Sequence, residues 1–185
     1  MTNNPYSPPT APVADVGHGG LVDQSNPYFA VGLVKLAVMN MVTFGIYQVY
    51  WFYRQWNFVR VRDRSDIWPV PRAIFAIIFV YPLFQRIRSD AAQHQVPGGL
   101  AAGPLATVFI LCNFIWRAPD PWWLAGFLTT VVVVVAQKVV NEINVAASPD
   151  HDRNERFGGW NWFGIVVGGV FWALVMIGLL FGVEE

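Results

Sequence analysis

Three constellations in this chain hold side chains that chemistry or recognition would use. Gln137, Asn141 and Asn144 recur at i, i+4 and i+7, so a helix puts their amides on one face, with Lys138 and Glu142 as an i, i+4 pair beside them. Such a face offers an ion or substrate contact inside a membrane, or an amide network between helices; the structural reading is preferred, because amides near a helix end need little explanation. Asp150, His151, Asp152 and Glu155 offer carboxylates and an imidazole to a cation, but at no metal-site spacing, and read as a solvated turn. Gly164/Gly168 and Gly178/Gly182 are two small-xxx-small pairs on one helical face, suited to close packing within the monomer and also to homo-oligomerisation. No Ser/His/Asp, Cys/His, phosphate-loop or zinc pattern is present, so no catalytic residue, metal ligand or cofactor is assigned and the chain reads as non-enzymatic.

The stretch over residues 43–64, TFGIYQVYWFYRQWNFVRVRDR, has a different character. Apolar residues give way to aromatic rings and then to arginines, the order expected where a chain leaves hydrocarbon for a basic aqueous face. Tyr47, Tyr50, Trp51 and Trp56 are expected at headgroup depth, and Arg54, Arg60, Arg62 and Arg64 in water or against anionic lipid.

Composition decides what solvent these groups meet. The chain is 55% hydrophobic and only 13% charged, against about 25% charged in ordinary soluble domains. The zero net charge conceals an asymmetry: residues 54–90 carry seven arginines against three aspartates, while the first 28 residues carry two aspartates and no lysine or arginine. Cys112, the single cysteine, lies in an apolar run and allows no intrachain disulfide.

The elements that position these groups follow from hydropathy. Residues 1–28 form a Pro/Gly-rich flexible tail, with Asn-Pro-Tyr at both 4–6 and 26–28, able to offer a polyproline segment to a protein partner. Residues 29–183 form the membrane domain, and 184–185 an acidic end. Apolar runs fall at about 29–53, 73–84, 100–116, 122–140 and 160–183, with residues 54–70 as a basic connector. Thr43-Phe44-Gly45 is a candidate break in the first run, and a re-entrant course there is a serious alternative to a span. The second run is too short to cross and contains Pro82. The short Pro119-Asp120-Pro121 linker makes runs three and four an antiparallel hairpin, with Trp116, Trp122 and Trp123 at its turn. If run two dips in and returns, ten basic residues share the inner side, with Arg117 outside and Lys35 in its span. The fold expected is therefore an all-α polytopic membrane bundle of four to five helices, four crossing and one short or re-entrant, with the hairpin turn and C-terminus outside.

Thr43-x-Gly45-Ile46-Tyr47-x-x-Tyr50-Trp51-x-Tyr53, with Gln137-x-x-x-Asn141, Pro149 and Asn154-x-Arg156-Phe157-x-x-Trp160-Asn161, resembles the bacterial membrane family of domain of unknown function number 4234. The Asn-Pro-Tyr-x-Pro-Pro start is similar too, and the resemblance covers roughly residues 29–182. It implies a bacterial inner (plasma) membrane location, no known activity and no catalytic residues to transfer. The favoured function is a multi-pass scaffold or adaptor whose basic cytoplasmic face meets anionic lipid and whose tail meets a protein; the alternative is a subunit of a small transporter or channel around Lys35, Asn40 and the Gln137/Asn141/Asn144 face. No nucleic-acid partner is expected.

Overall fold

The computed structural model describes residues 26–115 and 117–181, the last by its backbone alone. The tail up to residue 25 with its first Asn-Pro-Tyr, Trp116, Gly182 and the acidic end fall outside the described residues. Those described are all-helical, with no strand: α1 (Leu33–Val42), α2 (Ile46–Asp63), α3 (Pro69–Ile74), α4 (Ala76–Gln93), α5 (Ala102–Ile115), a 3-10 turn (Trp122–Phe127), α6 (Leu128–Ala147) and α7 (Gly159–Phe181).

The first apolar run is two helices that fold back on each other. Thr43 joins them: its hydroxyl donates to the Met39 carbonyl at 2.6 Å, closing α1, and accepts from the Tyr47 N–H at 3.0 Å, opening α2. Phe44 (φ 51°) and Gly45 (φ 84°) turn the chain through left-handed backbone, which glycine adopts freely and phenylalanine does not. Phe44 is held there by its ring, stacked on Trp172 at 5.0 Å and packed against Phe127 and Phe171. The reversal brings Phe29 back beside Gln55, so the 29–53 run starts and finishes in the same half of the molecule. Of the two courses expected for this run, the one broken at Thr43-Phe44-Gly45 is the one the backbone follows.

A second excursion follows. Rather than a connector from residue 54, α2 continues to Asp63, because Trp51, Phe52, Gln55, Trp56, Phe58 and Val59 form one buried face. α3 then packs against α2, with Arg72 over the Trp56 ring at 4.4 Å. α4 accommodates Pro82 and outruns the twelve-residue apolar stretch, since Val80, Leu83, Phe84, Ile87 and Ala91 keep a buried face through its polar second half. Arg62 binds Asp90 at 2.6 Å and Arg86 binds Asp63, so the chain between α2 and late α4 also goes out and returns.

α5 packs antiparallel between α4 and α6, as the Pro119-Asp120-Pro121 turn requires, and α6 runs back until Asn144 reaches Tyr28. α7 lies parallel to α1, where Gly168 has no side chain because a Cβ would overlap the Val42 carbonyl. A Cβ at Gly164 would meet Met39 at 3.4 Å in the same seam, whereas among the described residues one at Gly178 would meet nothing within 4 Å. The molecule therefore has two ends: one with Tyr28, Asp63, Asp90, Asn144 and Asn154, the other with residues 43–45, Phe127 and Trp172.

Among the described residues two helices are long and apolar enough to cross a membrane, Trp122–Ala147 and Gly159–Leu180. Within the most apolar 18-residue window of each, 56% of the first helix is buried in the protein but only 6% of the second.

Candidate functional site

The polar side chains of the interior converge on the extended segment 28–32 that leads into α1. An extended segment with no sheet to join must find partners for its N–H and C=O groups elsewhere. Here helix side chains supply them. Asn144 accepts from the Tyr28 N–H at 3.1 Å and donates to its carbonyl at 3.0 Å. Gln55 does the same for Phe29, 3.2 Å each way. Asn141 donates to the Val31 carbonyl at 3.0 Å, and Asn154, from the loop after α6, to that of Ala30 at 3.2 Å.

Gln137 ties the clamp together. Its Nε2 donates to the Phe29 carbonyl at 3.1 Å and to Asn141 Oδ1 at 2.7 Å, while its Oε1 accepts from Trp51 Nε1 at 2.6 Å and Gln55 Nε2 at 3.0 Å. Gln55, Gln137, Asn144 and Trp51 are fully buried, so the network is shielded from competing water.

A charged rim covers one side. The Tyr28 hydroxyl donates to Asp90 at 2.6 Å, Arg62 pairs with both Asp90 and Asp63, and Arg86 completes the set on Asp63. Burial first, then the Asp90 charge, pushes the Tyr28 hydroxyl well above the phenol range, so it remains a donor. Partial burial works to raise the Asp63 carboxyl, but the hydrogen bonds and charges of Arg62 and Arg86 outweigh it and hold it below the usual carboxylate range.

This arrangement corrects the reading of the aromatic-basic stretch. Trp51 and Trp56 are fully buried and belong to the core, because α3 packs over α2 and Trp51 Nε1 reaches Gln137 of α6. Tyr50 is exposed and Tyr47 half-buried, their rings 5.4 Å apart. Arg54 lies over the Phe29 ring at 4.8 Å instead of reaching outward, and Arg62 is spent on aspartates. Arg60 on the last turn of α2 and Arg64 just past its end are exposed. Lys35, left within its span by the sequence, turns into the loop after α6, donating to Asn154 Oδ1 and the Arg156 carbonyl at 2.8 Å each.

Asp150, His151, Asp152 and Glu155 do not converge. Asp152 caps its own turn by accepting from the Asn154 N–H at 2.8 Å, and a His151 ring nitrogen bonds the Ser148 carbonyl. Among the described residues no metal-holding group of three or more His, Cys, Asp or Glu gathers. The polar face of α6 was readable from spacing; Gln55, Asn154, Tyr28 and Asp90 were not. The available signals were Gln55 one turn after Trp51 and the Asn-Pro-Tyr repeat abutting the first apolar run.

No protein-family model, curated protein or solved structure matches this chain. What it does must be argued from its own geometry.

Proposed function

We propose that the chain is a multi-pass protein of the bacterial inner membrane and a non-enzymatic scaffold or adaptor, its basic end in the cytoplasm and in contact with anionic lipid or a partner. The carrying observation is α7: 23 residues, about 35 Å at 1.5 Å per residue, with Val166, Val170, Phe171, Leu174, Ile177 and Leu180 exposed. Water would not tolerate so large an apolar surface, and lipid covers it.

In this reading α5, α6 and α7 cross, while the α1–α2 and α3–α4 hairpins enter from the basic end and return to it. Residue 26 stands at that end, so the tail begins on the cytoplasmic side. Arg60, Arg62, Arg64, Arg86, Arg88 and Arg156 cluster there and Arg117 sits at the other, which supports the orientation. Exposed indoles mark both borders, Trp160 (86% exposed) at the basic end and Trp122 (70%) at the hairpin turn. At about 21 Å, α5 reaches across with local thinning of the bilayer. The likeness to domain of unknown function number 4234 supports the same location.

A photo-crosslinking residue at Arg60 or Arg64, activated in native membranes, tests the adaptor role. Capture of anionic lipid headgroups or one recurrent protein is expected; no adduct at either position contradicts it.

One observation favours the transporter reading. Asn40 is fully buried in α1 with neither amide atom partnered among the described residues, whereas Gln137, Asn141 and Asn144 are engaged with the chain's own backbone. Solute flux in proteoliposomes that disappears in Asn40→Leu would select it.

A further inference from the structure

A cleft of about 480 Å³ opens at the basic end, between the outer face of α6, the turn after α4 and the loop after α6. Small-molecule sites occupy about 300–1,000 Å³. Its charged lining is balanced and unspent: Lys138 and Arg153 are cationic, Glu142 and Glu155 anionic, and none of the four makes an ion pair or side-chain hydrogen bond among the described residues. Lys138 and Glu142 stand one turn apart, a spacing that favours mutual pairing, and still do not pair. His151 also lines the cleft. Its Nδ1 lies 2.6 Å from the Ser148 carbonyl, which can only accept, so Nδ1 is the donor of that bond.

The wall that carries Arg153 and Glu155 is already fastened. Asn154 bonds the Ala30 carbonyl, Gly32 N–H bonds the Asn154 carbonyl at 3.4 Å, and Lys35 grips Asn154 and Arg156. Glu155 packs so closely on Gly32 that a Cβ there would lie 3.2 Å from the Glu155 Cα. A ligand therefore meets a formed site and spends little of its binding energy on ordering a loop.

The geometry points to a binding site for a small zwitterion, with an ammonium and an anionic group on one molecule. An anion alone meets two glutamates, and a cation alone meets Lys138 and Arg153; a molecule with both signs satisfies both pairs by charge-assisted hydrogen bonds. A free amino acid and a phosphoethanolamine headgroup share this chemistry. The site stands whether or not the adaptor reading holds, since it rests on the cleft alone.

Calorimetric titration of the full chain in detergent tests it, with L-alanine and phosphoethanolamine as zwitterions and N-acetyl-L-alanine and L-alaninamide as singly charged controls. At least one zwitterion binds about tenfold or more tightly than both controls. The tighter of the two identifies the source, amino acid or lipid headgroup. Lys138→Gln and Glu142→Gln on the helix, and Arg153→Gln and Glu155→Gln on the loop, each weaken binding about tenfold, while Arg88→Gln leaves it unchanged. Thermal unfolding of each variant identifies any that misfold, and the other pair then carries the test. No binding of either zwitterion at about 10 mM, equal binding of the controls, or undiminished affinity in the folded variants overturns the assignment.

Discussion

Asn144 holds Tyr28 as a neighbouring strand would, its amide oxygen taking the Tyr28 N–H at 3.1 Å and its amide nitrogen serving the Tyr28 carbonyl at 3.0 Å. Gln55 repeats this with Phe29. Two amide side chains thus imitate a sheet edge in an all-helical interior. The start of α1, and with it the helical hairpin that follows, is fixed by this clamp.

Asn144→Leu strands both Tyr28 backbone groups in a buried site. At about 1–3 kcal/mol for each group left unsatisfied, the loss is about 2–6 kcal/mol, read as a lower unfolding midpoint and faster chymotryptic cleavage after Tyr28 or Phe29. Asn144→Asp keeps the acceptor and loses the donor, and falls between.

The turn at residues 43–45 separates two costs. Gly45→Ala meets open space but keeps φ near 84°, so strain alone lowers stability, by about 1 kcal/mol. Thr43→Val removes both of the bonds that join α1 to α2, at about 1–2 kcal/mol. Thermal unfolding in detergent measures both.

Gly168 and Gly178 respond differently to the same substitution. Gly168→Leu forces α7 off Val42 and costs at least the ~1–3 kcal/mol typical of overpacking, while Gly178→Leu leaves monomer stability unchanged. Unfolding midpoint and detergent-extracted size read the two effects. A change of size confined to Gly178→Leu places that face between copies of the chain.

Asp63 makes stability depend on pH in one direction. Its folded pKa lies below its unfolded value, so its contribution is complete above the ordinary carboxylate range near pH 4 and disappears as pH falls through the depressed folded value. Asp63→Asn is therefore less stable than wild type at pH 7, and the difference shrinks to nothing in strong acid. A difference unchanged across that range would show that Arg62 and Arg86 do not hold the carboxylate.

The residues themselves explain what was legible. Spacing alone put Gln137, Asn141 and Asn144 on one face of α6, but a helical period says nothing of what lies opposite, here the chain's own residues 28–31. Thr43-Phe44-Gly45 announced a break, through a glycine and a hydroxyl able to serve two helices, without giving the direction taken after it. Trp51 and Trp56 mislead because aromatic rings before arginines look alike in a core and at a lipid border; only the packing of α3 on α2 and the Trp51–Gln137 bond decide. The apolar run ends at Phe84 because hydropathy averages over faces, while the buried face of α4 continues to Ala91 through charged neighbours.

The orientation of the bundle meets its sharpest test in impermeant thiol labelling of Gln95→Cys and Pro119→Cys, each in a Cys112→Ser background. Position 95 lies at the basic end and 119 at the hairpin turn. Labelling at 119 in intact cells, with 95 reactive only after permeabilisation, is expected if α5, α6 and α7 cross a bilayer; equal labelling of both from outside contradicts it.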